Sequence, residues 1–382
     1  MEHRTLLKQI DRLAPAFLDV LEAVCNIESP TGYKEGVDAA VAYLVSLAER
    51  RGWAVEVCPE EGAGSPACLT LCPDAEGTPV CLSGHMDTVH PVGSFGTPAT
   101  RRDDTRMYGP GVVDCKGGVV AGMLAMAALE EVGFCARPVR LILQTDEETG
   151  STTSGGHTLR YMCDKARDAE AFLNLEGYRP GQAVIWRKGI LRLKLTVHGR
   201  AAHSAKCVEG RSAVAEAAYK IIELESWKDP DGLTCNCGVI HGGTVGNTVA
   251  ETCTFVADIR FATAEECALA RERIDRIAHT STVEGCTCTV EQMGYRPPME
   301  PSAKNDRLVE QMNRIYDRWG LPLLRPSKSL GGSDAAYITE LGVPCVDSLG
   351  TEGNYIHSTE EYMELRSLAE SAKRIATVVA SL

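Results

Sequence analysis

The sequence predicts an α/β protein in which a sheet flanked by helices is interrupted by a second, inserted domain. Three observations carry this reading. The chain has 382 residues, enough for about two domains at roughly 150 residues each. Apolar strand-like runs alternate with helical patterns through residue 187, as a sheet covered by helices requires. From Lys188 the rhythm changes to a βαββαβ order of its own, and the first pattern then resumes, so 1–187 and 296–382 form one discontinuous domain around 188–295.

The elements follow in order. Leu6, Leu7, Ile10, Leu13, Phe17, Leu18 and Leu21 recur at helical spacing between Met1 and Cys25, with Lys8, Asp11 and Arg12 between them, an amphipathic helix. A second helix runs from Lys34 to Arg51, with Val37, Val41, Leu44 and Leu47 on one face and Gly52 to stop it. Strands are expected at Ala54–Cys58, Ala67–Leu71, Val80–Ser83, Val139–Thr145 and Ala171–Leu175, with a small-residue helix at Gly117–Val132. The inserted part reads as strand Ile190–Val197, helix Ser212–Leu224, strands Leu233–Ile240 and Thr252–Phe261, helix Ala264–Ala278 and strand Thr287–Met293. Arg296, Pro297 and Pro298 mark the exit, followed by helix Asp306–Trp319, a turn at Gly331 and Gly332, strand Pro344–Ser348 and a last helix.

Composition removes several classes of function. Hydrophobic residues make up 44% and charged residues 24%, the balance of a folded chain rather than a disordered one. A net charge of -13 disfavours nucleic acid, whose binding relies on Lys and Arg neutralising phosphates. No apolar run reaches the ~18 to 20 residues that span a bilayer, and the N-terminal helix lacks a signal peptide's unbroken apolar stretch. A cytoplasmic protein is expected. The sixteen cysteines include no C-x-x-C pair, which reads as buried free thiols rather than a disulfide framework or zinc ribbon.

Five segments carry candidate chemistry. Strand Val80–Ser83 runs into Gly84-His85-Met86-Asp87, at the strand edge where open α/β sheets bind ligands. A metal-bound imidazole usually gives its other N–H to a carboxylate, so His85 as ligand with Asp87 as orienter is coherent; alone, His-x-Asp also describes an ordinary surface histidine. A Gly/Pro-rich loop, Gly109 to Gly118, delivers Asp114 just before a helix, where it is either a helix cap or a bridging ligand approached over glycine backbone. Asp146, Glu147 and Glu148 end an apolar strand; they are either a solvated acidic loop or a cluster that needs cations. Glu176 ends another strand-like segment, and His357 lies beyond the last strand. His85, Asp114, an acid of the Asp146 to Glu148 cluster, Glu176 and His357 together make a set suited to two Zn²⁺ ions about 3.5 to 4 Å apart.

These blocks resemble the M20 family of metallopeptidases, and within it the glutamate carboxypeptidase-like branch. The resemblance rests on Ser83 to Val89, Gly111 to Gly118, Asp146 to Gly150, Gly199 to Ala205 and Gly331 to Ala335, and covers nearly the entire chain. It implies a catalytic domain with a mixed sheet and an inserted lid and dimerisation domain. It implies two Zn²⁺ per subunit, with Co²⁺ or Mn²⁺ as possible substitutes, one held by His85, Asp114 and Glu176 and the other by Asp114, Glu148 and His357. Glu147 would be the general base. Cys115 stands where the family commonly has Asp or Asn, at a position whose backbone, often in a cis peptide, matters more than its side chain.

The same resemblance places His203 in a partner subunit's active site, which implies a homodimer, and Asn247, Arg260 and the backbone at Gly332 and Ser333 around the substrate's carboxylate. Arg260 has a plainer explanation in a strand-surface salt bridge. His90, His157, His198, His241 and His279 read as ordinary surface histidines. The substrate would be a peptide or N-acyl amino acid cleaved next to a free carboxylate, with an aminoacylase, dipeptidase or N-acyl-amino-acid deacylase sharing the same chemistry. A non-catalytic metal-binding protein is the reading of another class, against which Glu147 stands as a base that a mere metal holder would not need.

Overall fold

A computed structural model describes residues 3–382. In chain order its elements are α1 (His3–Cys25), α2 (Lys34–Arg50), β1 (Ala54–Val57), β2 (Ala67–Leu71), β3 (Val80–His85), β4 (Arg101–Arg102), β5 (Arg106–Tyr108), α3 (Lys116–Glu131), β6 (Val139–Gln144), α4 (His157–Ala166), β7 (Ala171–Asn174) and β8 (Gln182–Arg187). There follow β9 (Gly189–His198), α5 (Ala213–Glu225), β10 (Thr234–Gly242), β11 (Thr252–Phe261), α6 (Ala264–His279) and β12 (Thr287–Arg296). The chain closes with α7 (Ala303–Trp319), β13 (Arg325–Ser329), α8 (Ala335–Glu340), β14 (Cys345–Val346), β15 (Gly353–Asn354), β16 (Tyr362–Glu364) and α9 (Arg366–Ser381). Contacts divide it into two units: Met1–Ile185 with Pro301–Lys328 and Tyr337–Leu382, and Trp186–Glu300 with Ser329–Ala336.

The first unit is built on a six-stranded sheet of order β1-β2-β6-β3-β7-β14. Its central strands β6, β3, β7 and β14 run parallel, while β1 and β2 join antiparallel at one edge, so the sheet is mixed. The central strands read as unbroken apolar runs because both faces are covered. Helix α3 is buried along all but its last turn, and α1 and α9 pack against it. Its small residues allow that depth: a Cβ added at Gly118 would sit 1.9 Å from the Leu175 carbonyl oxygen, and one at Gly117 would sit 2.0 Å from that of Val112. Each large aliphatic side chain buried here contributes about 1.5 to 3 kcal/mol.

The second unit carries the βαββαβ order in an antiparallel sheet, β10-β11-β9-β12. Period-two burial defines its inner face: Leu191, Leu193, Leu195 and Val197 on β9, and Cys253, Phe255, Ala257, Ile259 and Phe261 on β11, are buried. Helices α5 and α6 contribute Ala213, Ala217, Leu224, Ala270 and Ile274 to the same core.

Candidate metal centre

Parallel pairing brings three chemical segments to one edge of the first unit's sheet. His85 ends β3 in register with Gln144 at the end of β6, and Ser83 is in register with Asn174 at the end of β7. The residues just past these ends, Asp87, Asp146 to Glu148 and Glu176, therefore share the carboxyl edge, although up to about ninety residues of sequence separate them. Asp114 reaches this edge from the loop before α3, and His357 from the segment between β15 and β16.

The donor atoms converge. His85 Nε2 lies 3.0 Å from Asp114 Oδ1, and His357 Nε2 lies 3.1 Å from Asp114 Oδ2, so each carboxylate oxygen faces a different imidazole. His357 Nε2 is also 3.4 Å from Glu148 Oε2, and His85 Nε2 is 3.9 Å from Glu176 Oε1. The ligand atoms of His85, Asp114 and Glu148 fall within 4.8 Å of one another, as do those of His85, Cys115 and Glu176. A carboxylate flanked in this way is not acting as a helix cap: Cys115 holds the position before α3, and no side chain caps it.

Electrostatics supply a test of fit. Burial, with the hydrogen bond to His357 opposing it and the charges of Asp114 and Glu147 adding to it, pushes the Glu148 carboxyl up to about 7. Burial and the charge of Asp114 hold Glu176 well above the ordinary carboxylate range. Burial also works against ionisation of Asp114, but hydrogen bonds from His357 and His85 override it and keep this carboxyl below its ordinary value. Hydrogen bonds to Asp114 and then Glu148 lift His357 to about 10. Two imidazoles and several crowded carboxylates, two of them reluctant to ionise, are a donor set that cations would satisfy. The residues fit a pair of divalent ions sharing Asp114.

Asp87 organises this edge. It is fully buried, accepts the Thr31 hydroxyl at 2.8 Å, and takes the backbone N–H groups of Glu147 and Glu148 at 3.2 and 3.1 Å. His85 Nδ1 is 2.9 Å from the Asp87 main-chain oxygen and 3.3 Å from its carboxylate, which leaves Nε2 to face Asp114. One residue thus orients the imidazole and the turn carrying Glu147 and Glu148. Of the three consecutive acids, Asp146 is committed elsewhere: its carboxylate accepts the Thr149 hydroxyl and the Ser154 N–H, the latter at 2.7 Å. Cys115 is buried, burial pushes its thiol up to about 12, and its sulfur accepts the His85 N–H at 3.1 Å. The Asp114–Cys115 peptide is cis.

The other candidate residues belong to the second unit. His203 and Asn247 are exposed, and His203 Nδ1 accepts the Ala205 N–H at 3.1 Å. Arg260 is engaged by Asp258, with Nε 2.6 Å from Oδ1, the strand-surface salt bridge that is its plainer explanation. Ser333 is buried, and its hydroxyl accepts the Ala335 N–H at 3.3 Å; Gly332 is half-buried beside Arg296 and Ile190. One expectation is corrected. His90 is not a surface histidine but a buried one, with Nε2 3.4 Å from Glu361. Glu361 escaped the sequence reading, since Glu360-Glu361 looks like a solvated acidic pair and its partners lie some 250 residues earlier.

Residues 81–381 match the sequence model of Peptidase family M20/M25/M40. The chain belongs to this family. Membership makes it a metal-dependent hydrolase of the metallopeptidase class. It is 27% identical over 375 residues to carboxypeptidase G2 of Pseudomonas sp. (strain RS-16), covering 96% of this chain and 89% of that protein. In fold it is similar to a tripeptidase from Staphylococcus aureus, with TM-score 0.78 at 24% identity over 97% of this chain and 99% of that one. It is also similar to a dinuclear metal-binding M20 peptidase from Bacillus subtilis, with TM-score 0.70 at 13% identity over 97% and 98% of the two chains. Among the described residues no helix is long and apolar enough to cross a membrane.

Proposed function

We propose that this M20 protein is a carboxypeptidase-like exopeptidase that holds two zinc ions and hydrolyses an amide bond next to a free carboxylate. The observation that carries the reading is Asp114, whose two oxygens each face a separate imidazole, 3.0 Å from His85 and 3.1 Å from His357. His85, Asp114 and Glu176 would hold one ion, and Asp114, Glu148 and His357 the other. Bound there, the ions supply Lewis acidity and bring the pKa of water toward about 7.

The chain's own residues do the rest. Glu147 sits beside the ligand Glu148 on the turn pinned by Asp87. Its carboxylate accepts the proton of the attacking water and passes it to the amide nitrogen, which must be protonated to leave. Arg260 and Asn247, with the backbone at Gly332 and Ser333, bind the substrate's carboxylate, Arg260 exchanging Asp258 for it through paired N–H donors. His203, whose Nδ1 accepts a backbone N–H, keeps its proton on Nε2 and can donate it to the scissile carbonyl from a partner subunit. An exposed apolar surface in the second unit supports that partner: Tyr219 and Ile222 on α5 and Val239 and Ile240 on the edge strand β10 are exposed. An active monomer in sedimentation would remove His203 from the mechanism.

The direct test is Glu147→Ala, assayed on N-acyl amino acids and dipeptides with free or amidated C-termini. The variant keeps two ions per chain and loses at least roughly 100-fold in kcat, the usual share of a general base, while wild type cleaves the free acids and spares the amides. Retained turnover in the variant, or equal cleavage of both substrate forms, contradicts the assignment.

A further inference from the structure

The loop that carries Asp114 has few side chains to hold it. Gly109, Pro110, Gly111, Val112 and Val113 precede the aspartate, and Gly111 takes φ +80°, so its conformation must be set from outside. The Thr351 hydroxyl donates to the Val112 carbonyl at 3.0 Å, and the loop's N–H groups at Gly111, Val113 and Asp114 all meet one carboxylate. Glu361 is fully buried. Its Oε1 accepts the N–H groups of Val113 at 2.8 Å and Asp114 at 3.1 Å, and its Oε2 accepts that of Gly111 at 3.1 Å and faces His90 Nε2 at 3.4 Å. The Glu361 main-chain oxygen takes the Gly109 N–H at 3.2 Å. Four residues earlier in the same segment, the His357 imidazole meets Asp114 Oδ2.

We propose that Glu361 is the positioning residue of the metal centre, fixing the Asp114 backbone and the His357 segment together so that the shared carboxylate presents one oxygen to each ion. This rests on reading Asp114 and His357 as ligands. A buried carboxylate that accepts several N–H groups holds their directions rigidly, and partners behind a metal ligand set its orientation and are worth roughly 10- to 100-fold in metal affinity. The role belongs to the charge and to both oxygens. A glutamine of the same shape has one oxygen, and either orientation of its amide turns an NH₂ toward an N–H donor.

The test uses metal-free full-length protein titrated with Co²⁺ and followed by visible absorption, at a temperature where circular dichroism shows each variant folded. Wild type takes up two Co²⁺ per chain. Glu361→Gln binds Co²⁺ roughly 10- to 100-fold more weakly at both sites, with an altered spectrum, and Glu361→Asp, which keeps the charge at shorter reach, falls between. A merely structural role lowers the melting temperature and leaves the affinities and spectrum of the folded protein unchanged, and that result in Glu361→Gln overturns the proposal. If Glu361→Gln does not fold, Glu361→Asp and His90→Gln decide by the same criterion: weakened binding sustains the proposal and wild-type binding overturns it. Wild type that fails to bind two Co²⁺ overturns the metal reading itself, a different failure.

Discussion

Asp87 and Glu361 treat the ligand cluster in the same way, each spending a buried carboxylate on the backbone N–H groups of a turn whose side chains are needed elsewhere. Asp87 was legible in the sequence because it stands two residues from His85 on a strand end. Glu361 was not, because backbone partners leave no trace in residue identity. The crowded acids carry a consequence for stability. Burial holds Glu148 at about 7 against an ordinary 4.5 and pushes Glu176 up as well, so the metal-free fold binds these protons more tightly than the unfolded chain does. Stability from such groups is present below the unfolded value and is lost as pH rises through the folded one. His357, raised from 6.5 to about 10 by its bonds to Asp114 and Glu148, acts with the same sign between those values. The metal-free protein therefore loses melting temperature between about pH 5 and pH 8, and Glu148→Gln, which cannot ionise, loses less. Identical pH profiles for the two proteins would show that Glu148 titrates normally.

At the scale of elements, the central strands and long helices were readable from apolar runs and helical spacing, and their carboxyl ends announced the site because chemistry-bearing residues follow each of them. The two- and three-residue strands β4, β5, β15 and β16 were not readable, since a period of two cannot show in so short a run; they form a sheet through pairing alone, β15-β16-β5-β4. Helix α3 joins fold to site, because its first turn must lie against the end of β7 for Asp114 and Glu176 to meet His85. Glycine makes that approach possible, as the 1.9 Å gap between a Gly118 Cβ and the Leu175 oxygen shows. On helix propensity alone Gly118→Ala would stabilise α3 by about 1 kcal/mol. Here the clash with backbone dominates, and the expected result in urea unfolding is a net loss of about 1 to 3 kcal/mol. A stabilised variant would mean that the helix is free to shift and that the close packing is not required.

For the molecule as a whole, the proposed roles are divided between the two units. One unit supplies every proposed metal ligand together with Glu147, while His203, Asn247, Arg260, Gly332 and Ser333 all fall in the other. The sequence offered a strand-surface salt bridge for Arg260 without singling out its partner, which is Asp258, two residues away on the same face of β11. Family membership accounts for a metal-dependent hydrolase, and the arrangement about Asp114 makes the stronger claim of two ions sharing one carboxylate. Crystals soaked in zinc and measured at the zinc absorption edge test that claim most directly. Two anomalous peaks per chain are expected, one beside each oxygen of Asp114, with His85 and Glu176 on one and Glu148 and His357 on the other. A single peak at saturating zinc, or two peaks that do not share Asp114, would contradict it.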